Sequence, residues 1–219
     1  MRPTPQPSEL PDGTPMTLAQ YLAFEEGARE RHEFVDGRVY AMVGGTLTHH
    51  RLIANVYDGL RAAERGSACF VFRESFRLRV GEDHYYPDLM VVCGEPLAGD
   101  AIVAERPCLL VEVLSPSTAR TDHTQKRDAY RRIPSLEAYL RVHAARRDVE
   151  CERRGRRGRW RTEHAIGQGT LRLPCLPVVL DLDAVYAGLD VPTVPPLRRL
   201  KEPANGAYGH PDPGLSSPA

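Results

Sequence analysis

Asp88 and Glu112 are carboxylates set at the edges of apolar runs. Asp88 follows Tyr86-Pro87 and precedes Leu89-Met90-Val91-Val92, and Glu112 follows Leu109-Leu110-Val111. Runs of about four consecutive apolar residues read as fully buried strands. An ionised carboxylate at the edge of such a strand is costly unless it is paired or binds a cation. If the intervening loop lets the two strands lie side by side, the two carboxylates share one cation. A hard divalent ion such as Mg²⁺, or Mn²⁺ in its place, takes oxygen ligands and keeps waters, so one or two carboxylates plus a substrate phosphate suffice. The chemistry expected of the pair is metal-assisted hydrolysis of a phosphate ester.

A lysine adds to the pair. Of the 29 basic residues, Lys occurs only at 126 and 201, so the other 27 are Arg. Lys201 lies in a Pro/Gly-rich end, which leaves Lys126 as the single lysine of the stretch expected to fold. Lysine is a compact, flexible cation that shifts its pKa readily, and arginine does not replace it there. Each sharp reading has a plainer alternative. Asp88 could be a turn residue after proline, and Lys126 a solvated helix lysine. His49 and His50, at a helix start, could contact phosphate or relay a proton, or simply face solvent. Ser115 and Ser117 lie in no G-x-S-x-G turn, so loop and cap duty is expected of them.

The elements that must position these groups follow from punctuation and periodicity. Residues 1–15 hold five prolines and are expected to be disordered. Thr17 reads as the N-cap of a helix to Gly27, and Asp36-Gly37 between short apolar runs as a hairpin turn. Leu52, Ile53, Val56, Tyr57 and Leu60 share one face of a helix over 48–65. Strands are expected over 69–72, 76–80, 89–92, 109–112 and 136–142, with a helix from Thr121 or Asp122 to Ile133, stopped by Pro134. A second hairpin joins 149–154 to 160–165, and 171–182 reads as short extended pieces before a small helix at 183–188. Residues 191–219 are expected to be disordered. The order predicts an α/β (α+β) domain over 16–190: a mixed central sheet flanked by helices, with an N-terminal helix and hairpin.

Within that order the chain resembles the PD-(D/E)XK nuclease superfamily, and more closely its bacterial branch of putative restriction endonucleases, also known as domain of unknown function 820. The resemblance rests on HEFVDGRVYAMVGGTLTHH (32–50), YYPDLMVV (85–92), LLVEVLSPSTARTD (109–122), KRDAYRRIPSLEAYLRV (126–142) and the RxGRWR hairpin (156–161). It implies a restriction-endonuclease-like core with Glu33 as the acidic residue of the first core element, and Asp88 and Glu112 as metal ligands. The lysine expected at 114 is Leu114. The resemblance implies that its role passes to the next helix, where Lys126 stands four residues from Tyr130 and on the same face.

Taken together these expectations describe a DNA endonuclease dependent on Mg²⁺ or Mn²⁺. Two alternatives stand beside it: a nuclease-fold module that binds nucleic acid without cleaving it, and a phosphoesterase acting on RNA or small substrates. The hairpin RRGRRGRWR (153–161) would grip phosphates through Arg154, Arg156 and Arg157, with Trp160 stacking on a base, or else be a solvated turn. Zero net charge selects no partner, and a homodimer stays open. The sequence has no run of 18 apolar residues and no secretory signal. Five scattered cysteines without CxxC spacing argue against a disulfide framework or zinc site and for a reducing cytoplasm.

Overall fold

The computed structural model describes residues 10–42, 44–114 and 122–193. In chain order the elements are β1 (Thr14–Pro15), α1 (Leu18–Glu26), β2 (His32–Val35), β3 (Arg38–Ala41), α2 (Leu47–Glu64), β4 (Cys69–Arg73), β5 (Arg77–Val80), β6 (Asp83–Tyr85), β7 (Leu89–Cys93), β8 (Val103–Ala104), β9 (Pro107–Leu114), α3 (Asp122–Arg131), β10 (Ala138–His143), β11 (Asp148–Arg154), β12 (Trp160–Ile166), β13 (Thr170–Arg172), β14 (Val179–Asp181) and α4 (Leu182–Val185).

Local chemistry sets several boundaries. Thr17 and Gln20 form a reciprocal capping box at the start of α1. Asp36 and Gly37 both take positive φ, 49° and 72°, as a two-residue hairpin turn of the primed type requires. Thr46 caps α2 by accepting the His49 N–H.

The strands form two six-stranded sheets where a single mixed sheet was expected. The first runs β1-β3-β2-β6-β5-β8, the second β12-β11-β10-β9-β7-β4, and β13 and β14 pair separately. Both large sheets are mixed: β5/β8 and β9/β10 are parallel, the other neighbours antiparallel. Sequence reading missed β1, β6 and β8. Each has two or three residues, too short for a periodic signal. Thr14–Pro15 lie within the stretch expected to be disordered, yet they pair with β3. The expected disorder of 1–9 and 194–219, and the loop at 115–118, fall outside the described residues.

Strand alternation splits the core in two. Leu109, Val111 and Val113 of β9 pack with Leu89 and Val91 of β7, Leu140 and Val142 of β10, and Leu52, Ile53, Val56 and Leu60 of α2. The intervening residues, Leu110, Met90, Val92 and Tyr139, face Ala129 and Tyr130 of α3 and Leu78 and Tyr85 of the first sheet. The second sheet is therefore covered on both faces, which explains why β9 is buried along its whole length. Leu140 lies at the centre of this sheet and is fully buried. Leu140→Ala should cost about 2–5 kcal/mol. A urea melt should show a lower midpoint with little change in slope, and an unchanged midpoint would place the core elsewhere.

Candidate active site

The site forms where the chain crosses from one sheet to the other. β6 ends at Tyr85, Tyr86-Pro87-Asp88 spans the gap, and β7 begins at Leu89. Pro87 fixes its own φ and biases Tyr86 toward extended backbone, which suits a crossing. The Tyr86 N–H donates to Glu33 Oε1 at 3.0 Å, tying the crossing to β2. The Leu89↔Val111 register sets Asp88 beside Glu112 on the neighbouring strand. The Val113 N–H donates to Asp88 Oδ2 at 2.6 Å, which anchors that carboxylate against β9.

Glu112 shares a face with Leu110, the face that α3 covers. Lys126 and Tyr130, one helical turn apart on α3, both reach it. Lys126 Nζ stands 2.9 Å from Glu33 Oε1 and 3.6 Å from Glu112 Oε1. The Tyr130 hydroxyl donates to Glu112 Oε1 at 2.8 Å. From α2, His49 brings Nε2 to 3.5 Å from Asp88 Oδ2. Its Nδ1 is buried with no hydrogen-bond partner among the described residues. Gly45 lies against that ring, and a Cβ there would come within 2.4 Å of Nδ1, so the turn before α2 has room for glycine alone.

Glu33, Asp88, Glu112 and Lys126 are 6–7% exposed, so their charges meet almost out of water. Burial pushes the Glu112 carboxyl up to about 8, and Asp88 and Glu33 add to the rise while Lys126 and Tyr130 oppose it. The hydrogen bond to Asp88 raises the His49 pKa against the effect of burial. An all-oxygen set with more carboxylate than cation fits a hard divalent ion. Asp88 and Glu112 are the residues that could hold it.

Sequence reasoning missed two buried glutamates behind this set. Glu25 accepts from the His32 backbone N–H and the Tyr86 hydroxyl, 3.2 and 2.9 Å, so α1 braces the strand of Glu33 and the crossing together. Glu152, fully buried, receives Arg127 and Arg131 of α3 and Arg141 of β10. The spacing of Arg127 and Arg131, four apart beside Lys126, was the available signal.

Other expected site residues lie apart. His50 is exposed, its ring edge-on to His49. Arg154 and Trp160, expected to grip nucleic acid or else belong to a solvated turn, are engaged within the protein. The Arg154 guanidinium donates to the carbonyls of Arg131, Ile133 and Pro134, closing the end of α3. Trp160 lies against the core beside α3, between the guanidinium groups of Arg131 and Arg154, with both over its ring. Arg156 and Arg157 are exposed on a 3₁₀ turn between β11 and β12. The expectation against a disulfide is corrected, because Cys69 and Cys93 are joined. They are directly paired across β4 and β7, a neighbourhood that chain spacing does not reveal.

The family model of the Uma2 putative restriction endonucleases matches residues 18–185. The chain belongs to this family. An uncharacterized protein of Synechocystis is 29% identical over 172 residues, covering 78% of this chain and 90% of its own. A second from the same organism is 36% identical over 131 residues, 58% and 74% of the two chains. A crystal structure of a putative nuclease of the domain-of-unknown-function 820 group, from Anabaena variabilis, superposes with a TM-score of 0.67 at 16% identity. It covers 78% of this chain and 98% of that one, and shows that the fold is shared. Among the described residues no helix is long and apolar enough to cross a membrane.

Two measurements follow from this geometry. Arg154→Ala should destabilise the fold by about 1–3 kcal/mol, because several helix-end carbonyls lose a charged donor. Arg156→Ala and Arg157→Ala should leave the melting temperature unchanged, and equal effects at all three positions would contradict the assignment. The second concerns Glu112, whose folded pKa lies above the ordinary value of 4.5. Such a group contributes fully below pH 4.5 and loses that contribution as pH rises to about 8. In chelator-treated protein, wild type should therefore lose stability relative to Glu112→Gln across this window. Taking the difference between the two proteins cancels His84, whose burial depresses its pKa to about 4 and acts in the opposite sense. Parallel pH profiles would exclude Glu112 as the titrating group.

Proposed function

We propose that the protein is a divalent-metal-dependent nuclease that hydrolyses DNA phosphodiester bonds internally. The observation that carries the reading is the meeting of Asp88, Glu112, Glu33 and Lys126 at one buried point, with carboxylates in excess of the lysine. Membership of a family of putative restriction endonucleases supports the same reading. Mg²⁺ or Mn²⁺ held by Asp88 and Glu112 would supply Lewis-acid polarisation of the phosphate and acidification of water.

The chain's own groups divide the remaining work. Lys126 offers a positive charge to the oxygens of the phosphate as negative charge develops there. Glu33 holds that ammonium in place through its 2.9 Å contact, and Tyr130 orients Glu112. Asp88 is held by the Val113 N–H, so neither carboxylate needs to reorganise when substrate arrives. His49, beside Asp88, is placed to hold or pass a proton at Nε2. Leu114 leaves β9 without a lysine, and Lys126 provides the cation from the helix instead.

The test is a plasmid-nicking assay in Mg²⁺ and in Mn²⁺, with thermal melts of the same proteins. Asp88→Asn should lower nicking by more than about 100-fold, since changes behind a metal ligand alone cost 10–100-fold. Without metal its melting temperature should hold or rise, because one of the mutually repelling carboxylates is gone. Mg²⁺ should raise the melting temperature of wild type and much less that of the variant. An equal Mg²⁺ response with no nicking by wild type would favour a binding module without catalysis. Cleavage of RNA or nucleotides in place of DNA would move the substrate class.

A further inference from the structure

Cys69, Cys93, Cys108 and Cys175 lie far apart in sequence but together in space. Cys69 and Cys93 are opposite each other on β4 and β7. Cys108 is on β9, the next strand, with its Sγ 3.3 Å from that of Cys93. Cys175 sits in the turn between β13 and β14, and the sulfurs of Cys93, Cys108 and Cys175 all fall within 4.8 Å of one another. The Cys175 carbonyl oxygen lies 3.6 and 3.8 Å from the sulfurs of Cys69 and Cys93. Only Cys151, on β11, stands outside the group. Cys69 and Cys108 are buried, while Cys93 and Cys175 are half-buried and give solvent a route in.

We propose that in the reduced protein Cys69, Cys93, Cys108 and Cys175 form a four-thiolate site for a soft divalent cation of the zinc class. Four sulfurs at about 2.3 Å from a tetrahedral zinc lie roughly 3.8 Å apart. The sulfurs of Cys93, Cys108 and Cys175, within 4.8 Å of one another, need about an ångström of adjustment, and Cys69, once released from Cys93, supplies the fourth sulfur. Thiolates select zinc-like ions over the magnesium-like ions that suit Asp88 and Glu112, so the two sites discriminate by ligand softness. The site would tie β4, β7, β9 and the 173–178 turn, and β7 is the strand that Asp88 leads.

The disulfide and the metal exclude each other. Reduction by a water-soluble phosphine takes the oxygen of one water onto phosphorus and releases both cysteines as thiols. Each thiol that then binds the cation gives up its proton to buffer, so affinity rises with pH. Exchange within the cluster is the competing use of these groups.

The test uses the full chain, reduced with phosphine, desalted without air and titrated with Co²⁺. The Asp88→Asn background removes binding at the carboxylates and makes the result independent of the nuclease reading. One equivalent should give a thiolate-to-cobalt charge-transfer band and tetrahedral ligand-field bands, both abolished by Zn²⁺. Cys175→Ser, at a half-buried turn that tolerates the change, and Cys108→Ser should each weaken binding at least tenfold. Cys151→Ala should not. The unreduced protein should give no such spectrum. A weak octahedral spectrum, or a charge-transfer band insensitive to Cys108 and Cys175, would overturn the proposal.

Discussion

Three carboxylates buried around one lysine are the constraint on which the rest of this structure depends. Glu33 and Glu112 come from different strands and Asp88 from the crossing between the sheets, and each is nearly out of water. Burial, with repulsion from Asp88 and Glu33 added to it, raises the Glu112 pKa, and the fold tolerates the cost through specific donors. The Tyr86 and Val113 N–H groups, the Tyr130 hydroxyl and the Lys126 ammonium each meet one of these acids. Such a concentration of charge is poor design for stability alone. On the proposed function, a cation bound there by the native state would offset the repulsion.

The two sheets are arranged to bring these acids together. Neither sheet carries the whole set: Glu33 belongs to the first, Glu112 to the second, and Asp88 to the crossing between them. Displacing one sheet from the other would therefore separate Glu33 from Glu112 and strand Lys126 between them. The apolar packing of Leu78 and Tyr85 from the first sheet against Leu110 and Met90 of the second fixes that relation. Core packing and site geometry here are one problem, because the same face of β9 carries Leu110 into the core and Glu112 into the site.

Much of this was legible in residue order, and the parts that were not share a physical reason. Leu89-Met90-Val91-Val92 and Leu109-Leu110-Val111 announced buried strands, and Asp36-Gly37 its turn, because each is a local pattern. Lys126 and Tyr130 were placed on one face by helical spacing, and the structure brings both to Glu112. What stayed hidden depends on register between distant strands. Cys69 and Cys93 looked unrelated until β4 paired with β7, and β8 and β1 are strands only because neighbours accept them. The contacts of Arg154 within the protein were hidden for another reason. In an arginine-rich hairpin nothing local distinguishes a guanidinium that closes a helix from one that faces water, and the carbonyls it serves lie about twenty residues back in the chain.

Placing the lysine on a helix instead of on β9 changes what the site requires. A lysine at 114 would be fixed by the same strand that carries Glu112. Lys126 is fixed only as well as α3 is fixed, and the packing of α3 is not purely apolar. Arg127 and Arg131 bind Glu152 of β11, and Arg154 of the same strand donates to the carbonyl of Arg131, the last residue of the helix. Glu152 is fully buried, so removing its carboxylate would leave the Arg127 and Arg131 guanidinium groups without that counter-charge. The helix would then turn or lift, and its first effect would be on the distance from Lys126 to Glu33. The basic hairpin thus bears on the site indirectly: β11, through Glu152 and Arg154, sets the angle at which α3 presents its lysine.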